Sequence, residues 1–301
     1  MRPRPVRLMN MQALPETLLA EVRDRYGVVA DTAEAISGGT ASKLWRLDSE
    51  PSVVVRLSQY YRLPDQQWSC RVAAEFAGEL SEVIPPLVGS DGEAVFSWQG
   101  RPITVWPFVM GERLDRRNLV QLRQAARLLA RLHLSARAFP SLSEGKPPER
   151  NDSEAERLLP DPDLDRWLRS WQEHSDDQQA GWMHRDFFPG NVLWRDGQIV
   201  GLVDWDEVEW GPLTNELAWS VWEFGRSLAG DALDLDHALE FLSEYRRAGG
   251  PVRPTNDLIP LIRARLRSDI AFWRRGNAAD PAEDRAKVAA FSALRHVSLV
   301  P

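Results

Sequence analysis

Apolar positions follow two rules along this chain, alternating like strands through much of the first third and recurring at helical intervals afterwards. PETLLAEVRDRYG sets Leu18, Leu19, Val22 and Tyr26 at helical spacing, with Pro15 near the start and Gly27 at the stop, which predicts a short amphipathic helix. DTAEAI, SKLWRLDS and PSVVVRLS carry β-branched and alternating residues around Ser37-Gly38-Gly39-Thr40, and read as a strand, a flexible turn and two further strands. A helix rich in small and apolar residues is expected around QQWSCRVAAEFAGELSE. IPPLVGSDGEAVFSWQGRPITVWPFVMGERL then predicts short strands joined by turns at Asp91-Gly92 and Gln99-Gly100, completing a five-stranded antiparallel sheet.

Beyond that point the helical period dominates. Leu122, Ala125, Leu129, Leu132 and His133 share one face of a long helix. Between Pro140 and Asp163 the chain is rich in proline and charge, which predicts a surface excursion, and DLDRWLRSWQEH supplies another short helix. After Asp204 three more helical patterns run to the C-terminus, separated by Gly and Pro breaks. Helical spacing spreads Arg263, Arg265, Arg267, Arg274 and Arg275 around the axis, so most of them are expected at the surface. The class this predicts is α+β, a small antiparallel-sheet region followed by a larger, mainly helical one.

Composition narrows the setting. With 301 residues and 43% hydrophobic content, the chain can bury cores for two lobes. A formal charge of -7 argues against nucleic acid and acidic membrane as partners, and suits a cationic or neutral substrate. Cys70 is the one cysteine, so no disulfide framework is available and the side chain reads as a small packed group. The basic N-terminus lacks the apolar core of a secretory signal, and no apolar run is long enough to span a bilayer. A cytoplasmic protein is the expectation.

The chemistry concentrates in HRDFFPGNVLWRDGQIVGLVDWD, His184 to Asp206. Asp196-Gly197 is a hairpin turn signal and the apolar run after it a short buried strand. Asp186, Asn191 and Asp204 are then oxygen donors at the polar ends of the segment, suited to Mg²⁺ and to a hydroxyl that must lose its proton. The plainer reading is a hairpin whose polar residues cap turns. Similarly, Ser37 to Thr40 either joins two strands or lets backbone N–H groups approach a polyphosphate.

The order His-x-Asp, Asn five residues after that Asp, then Val-Asp-Trp resembles the catalytic loop and metal-binding strand of the aminoglycoside phosphotransferase family, relatives of protein kinases. The resemblance implies a two-lobed protein-kinase-like fold, with a nucleotide-binding lobe over residues 1–109 and a catalytic and acceptor-binding lobe over 110–301. It implies ATP or GTP as phosphate donor and Mg²⁺ as metal. Asp186 would orient or deprotonate the acceptor hydroxyl, His184 brace the loop, and Asn191 and Asp204 hold the metal. Ser37, Gly38, Gly39 and Thr40 would cover the phosphates. Arg56, a longer and planar cation, stands where the family commonly has a lysine, with Glu75, or Glu79 one turn later, as its orienting acid. WPFVMG resembles the interlobe hinge, with the Pro107 carbonyl and Val109 N–H meeting the adenine edge. LARLH resembles a family helix in which the histidine, here His133, is structural.

GPLTNELA replaces the family's G-D-P-x-x-D-L-A pattern, offering Glu216 as a helix-start acid that supports the catalytic loop. Asp206, Glu207, Glu209 and Glu216 form an acidic set that would receive a cationic acceptor, an aminoglycoside-like or peptide antibiotic, or would simply be solvated. Homoserine, choline and sugars are the alternative acceptors. A nucleotide-binding pseudokinase shares every fold-level expectation, and a metal-dependent hydrolase built on His184, Asp186, Asp204 and Asp206 is the reading from another class.

Overall fold

The structure, a computed structural model, describes residues 13–30, 32–36, 42–136, 153–173, 179–253, 256–275 and 280–299. Ser37, Gly38, Gly39 and Thr40 lie outside the described residues. The chain divides into two compact units. Residues 1–111 with 200–206 form the first, and residues 112–199 with 207–301 form the second. The sequence suggests one boundary near residue 109; the structure adds a return of the chain, Val200–Asp206, to the first unit.

In the first unit, helix α1 (Glu16–Tyr26) ends at Gly27, whose φ of 65° is a left-handed cap that glycine adopts without steric cost. Strands β1 (Ala33–Ile36), β2 (Ser42–Leu47) and β3 (Val53–Ser58) follow, then α2 (Leu63–Glu79), β4 (Val95–Trp98) and β5 (Arg101–Pro107). The five strands form one antiparallel sheet in the order β1-β2-β3-β5-β4. Alternation turns Val53, Val55 and Leu57 of β3 to one face, where they join Leu18, Val22, Trp45, Ile103 and Val105 in a core. Arg56, on the opposite face of this central strand, is 8% exposed. Gln99-Gly100 joins β4 to β5 as expected, both residues at positive φ. Asp91-Gly92 closes a loop instead of joining two strands, because Pro85 and Pro86 withhold the N–H donors an added strand would need. Asp91 there accepts from the Glu93 N–H at 3.1 Å.

The second unit opens with β6 (Glu112–Arg113) and α3 (Leu119–Ser135), capped by Asn118, whose side chain accepts from the N–H groups of Val120 and Gln121. Helix α4 (Ser153–Leu158) lies within the stretch read as a surface excursion, and α5 (Pro162–Glu173) covers the short helix expected at DLDRWLRSWQEH. Then come β7 (Ala180–Met183), β8 (Val192–Arg195), β9 (Gln198–Leu202), which runs across the unit boundary, and β10 (Glu209–Pro212). Helices α6 (Leu213–Gly225), α7 (Leu235–Arg247), α8 (Leu258–Arg275) and α9 (Pro281–Ala293) complete it. Helix α6 is buried on nearly every side, the mark of a central helix.

Two of the arginines expected at the surface are not there. Arg263 and Arg267 are 6% and 2% exposed. Arg263 pairs with Asp161, which also accepts from Arg295 at 2.7 Å, and Arg267 donates to Asp165 at 2.5 Å. The carboxylates of α5 and its cap let α8 bury those cations, a compensation that the spacing within α8 does not reveal.

Candidate active site

The residues of the His184–Asn191 segment, in the second unit, are held from several sides. His184 is 2% exposed, and its Nδ1 accepts from the Asp186 N–H at 3.3 Å. Asn191 donates from Nδ2 to the Asp186 carboxylate at 2.9 Å and to the Asp186 carbonyl at 3.0 Å. Phe187 is fully buried, its ring tilted against that of Phe224 with centroids 5.9 Å apart, and its carbonyl accepts from Ser220 Oγ. Gly190 sits where a Cβ would lie 2.4 Å from the Phe188 ring, so the tight turn into Asn191 uses the missing side chain.

Arg185, between the histidine and the aspartate, adopts φ 69°, an uncommon left-handed conformation for a residue with a Cβ. Glu216 holds it there. Its Oε1 accepts from the Arg185 N–H at 2.6 Å, and its Oε2 meets His133 Nε2 at 3.1 Å. His133 Nδ1 in turn meets the Tyr245 hydroxyl at 2.7 Å, and that oxygen accepts from the Val252 N–H. All three side chains are buried. Burial pushes the Tyr245 phenol above its usual range, so it stays protonated and donates to His133. The expected loop-supporting role of Glu216 fits this geometry. An acceptor-facing role does not, because both oxygens are engaged internally.

In the first unit Arg56 is the centre. Its Nη2 donates to Asp206 and, at 3.0 Å, to Asp204, while its Nε donates to Ser42 Oγ at 2.9 Å. Gln66 of α2, 1% exposed, donates to the other Asp206 oxygen at 2.8 Å. Burial alone would lower the Arg56 guanidinium, yet the Asp204 and Asp206 charges raise it above its usual value. Burial also drives Asp206 upward against the pull of Arg56, and the Asp204 charge adds to the rise. Two carboxylates thus share one cation. Asp204 has φ 67° and a side chain 38% exposed, against 5% for Asp206.

The structure therefore brings Asp186 to Asn191, and Arg56 to Asp204 and Asp206. It does not bring Glu75 or Glu79 to Arg56; both are exposed on α2. Pro107 ends β5 opposite Val53, and Val109 follows it, half-buried. Of the acidic set, Asp206 is consumed by Arg56 and Gln66, Glu209 lies 3.0 Å from Arg185 Nε, and Glu207 is partly buried. Two of the four carboxylates expected to receive a cationic acceptor, Asp206 and Glu216, have both oxygens engaged by internal partners. Gln66, Ser42 and Tyr245 were not legible as site residues, since nothing in their spacing marks them.

Asp204 in the first unit and Asn191 in the second each carry an oxygen donor of the hard kind that Mg²⁺ prefers. A metal-dependent hydrolase fits less well, because His184 Nδ1 accepts within its own loop and Asp206 is held by Arg56 and Gln66.

Comparison with known proteins gives the chain a class. The family model described as "Phosphotransferase enzyme family" matches residues 32–251; the chain belongs to this family, and its fold is the protein-kinase-like one of the aminoglycoside phosphotransferases. It is an enzyme of the phosphotransferase class. A homoserine kinase of Phenylobacterium zucineum is 31% identical over 137 residues, 40% of each chain. The serine/threonine protein kinase RdoA of Salmonella typhimurium is 25% identical over 253 residues, 76% of this chain and 73% of that protein. Among solved structures, amicoumacin kinase bound to AMP-PNP, Ca²⁺ and its ligand shares the fold with a TM-score of 0.70 at 12% identity, covering 96% of both chains. Spectinomycin phosphotransferase with ADP and spectinomycin does so with a TM-score of 0.63 at 19% identity, covering 95% of this chain and 94% of that one. Among the described residues no helix is long and apolar enough to cross a membrane.

Proposed function

We propose that this protein transfers the γ-phosphoryl group of ATP or GTP to a hydroxyl of a small molecule. The observation that carries this reading is the Asp186–Asn191 pair, a carboxylate fixed by an amide whose own carbonyl oxygen would serve a cation. Asp186 orients the acceptor hydroxyl and takes its proton as the oxygen bonds to the γ-phosphorus and the bond to the β-phosphate oxygen breaks. His184 braces the loop. Asn191 and Asp204 are the residues that would hold Mg²⁺, whose charge offsets that of the triphosphate. Arg56 and the Ser37 to Thr40 backbone neutralise phosphate charge, and the Pro107 carbonyl and Val109 N–H meet the adenine edge.

For the acceptor we propose an amine-bearing alcohol, aminoglycoside-like or peptide antibiotics first, with homoserine, choline and sugars as alternatives of the same fold. The formal charge of -7 supports it, as do a relative named homoserine kinase and fold neighbours named for spectinomycin and amicoumacin. The acidic run supports it less than its composition suggests. Neither nucleic acid nor membrane is a partner in this reading, and the cytoplasm is its place.

The test is incubation of purified protein with Mg²⁺-ATP, and separately Mg²⁺-GTP, against a pooled panel of these alcohols, with products followed by mass. A phosphorylated product establishes the kinase and its acceptor class. Nucleotide binding without product across the panel favours the pseudokinase, and absence of both overturns the proposal.

A further inference from the structure

We infer that Asp206, anchored by Gln66, is the positioning residue that aims Arg56 at the nucleotide phosphates, a role that the family resemblance assigns to a carboxylate of α2. The inference rests on the kinase reading and deepens it.

Three observations carry it. First, α2 brings no acid to Arg56: Glu75 and Glu79 are exposed, and the α2 side chain in the cluster is the amide of Gln66, which grips Asp206 instead. Second, among the described residues the guanidinium is held at Nε by Ser42 and at Nη2 by Asp204 and Asp206, and Nη1 is the nitrogen that would donate to a phosphate oxygen. Third, the two carboxylates are not equivalent. Asp204 is the more exposed and is the proposed metal ligand, so its oxygens are claimed when metal binds. Asp206 is nearly sealed, with one oxygen on Gln66 and the other on Arg56, and stays with the cation throughout. A lysine with a long helix glutamate and an arginine with a short aspartate two residues past the metal acid solve the same reach problem differently. The longer, forked cation needs a nearer and stiffer anchor.

The experiment measures Mg²⁺-ATP binding by calorimetry, and the KM for ATP and kcat where an acceptor has been found, in the parent protein, Asp206→Asn, Arg56→Met and the double variant. Asp206→Asn keeps shape and removes charge. Weakening of ATP binding by about tenfold is expected, together with a raised KM for ATP and an unchanged KM for the acceptor. In the Arg56→Met background Asp206→Asn should have no further effect, because its work passes through Arg56. If Asp206→Asn does not fold, Gln66→Ala, which frees Asp206 without removing it, should weaken ATP binding in the same direction by a few fold.

Additive losses in the double variant would overturn the inference, as would a loss on Glu75→Gln with none on Asp206→Asn. Parent protein that binds ATP with an affinity that neither Asp206→Asn nor Gln66→Ala changes overturns the inference alone. Parent protein that binds no nucleotide overturns the kinase reading and this inference with it.

Discussion

Asn191 fixes Asp186 twice, donating to its carboxylate at 2.9 Å and to its main-chain carbonyl at 3.0 Å, so one amide sets both the side chain and the peptide that carries it. A carboxylate held this way is preorganised to receive a proton. Asp186→Asn retains the shape but offers no base and places a second amide against Asn191. We expect kcat to fall by about 10³-fold, with Mg²⁺-ATP affinity within about threefold of the parent by calorimetry. Full activity in this variant would refute the assignment of Asp186.

The conformation of Arg185 is set by a buried chain of hydrogen bonds that runs through side chains of three helices, α3, α6 and α7. The Glu216 carboxylate faces two N–H groups, those of Arg185 and His133 Nε2, which fixes the histidine tautomer and leaves Nδ1 to accept from Tyr245. Glu216→Gln turns one of those oxygens into an NH₂ group and sets a donor against a donor. It should cost about 1–3 kcal/mol in urea denaturation and reduce kcat by about tenfold or more, because the loop carrying Asp186 loses its tie. Tyr245→Phe should cost less, about 1 kcal/mol, leaving Nδ1 of His133 unpaired. A Glu216→Gln protein with parental stability and rate would show that the tie does not position the loop.

Arginine at position 56 is matched to its surroundings and not a drop-in for lysine. Ser42, Asp204 and Asp206 engage it through two different nitrogens, a fork that an ammonium cannot reproduce. Arg56→Lys is therefore expected to lose about tenfold in kcat/KM for ATP and to lower the melting temperature, even though the family more commonly has lysine. An Arg56→Lys variant with improved kcat/KM would mean that the cluster around Arg56 does not define its reach.

How legible this was varies by element. The His184 to Asp206 segment could be read because the order and spacing of its polar residues resemble a known family's catalytic loop, and the Asp196-Gly197 turn sits where the hairpin needs positive φ, 52° and 84°. Helices α1 and α3 could be read from period and caps. The partners of the cations could not. Periodicity places Glu75 on the same helix as Gln66 but does not say which turn of α2 meets Arg56, and Asp206 looked like one more solvated acid in an acidic run. Arg263 and Arg267 looked superficial for the same reason. Their carboxylates come from about a hundred residues earlier, and burial of a charge is decided by such distant partners.

Asp161 makes the last of these pairings testable by pH. As the cap of α5 it accepts from the Leu164 N–H at 3.1 Å, and its other oxygen takes hydrogen bonds from Arg263 and Arg295. Burial alone would raise this carboxyl, but the hydrogen bonds from Arg295, Leu164 and Arg263 outweigh it and bring it to about 2, below its ordinary 3.8. A carboxyl lowered on folding stabilises the native state fully above its unfolded value and loses that contribution as pH falls through the folded one. Stability should therefore drop between about pH 4 and 2 through this residue. Asp161→Ala removes the partner of a cation that stays buried, and should cost about 3–5 kcal/mol near neutral pH. Urea midpoints measured across that pH range should fall more steeply in the parent than in Asp161→Asn, which cannot titrate. Equal slopes would mean that this buried cluster contributes nothing to acid sensitivity, and that Arg263 is stabilised by its stacking on Phe291 and its bond to the Phe291 carbonyl more than by charge.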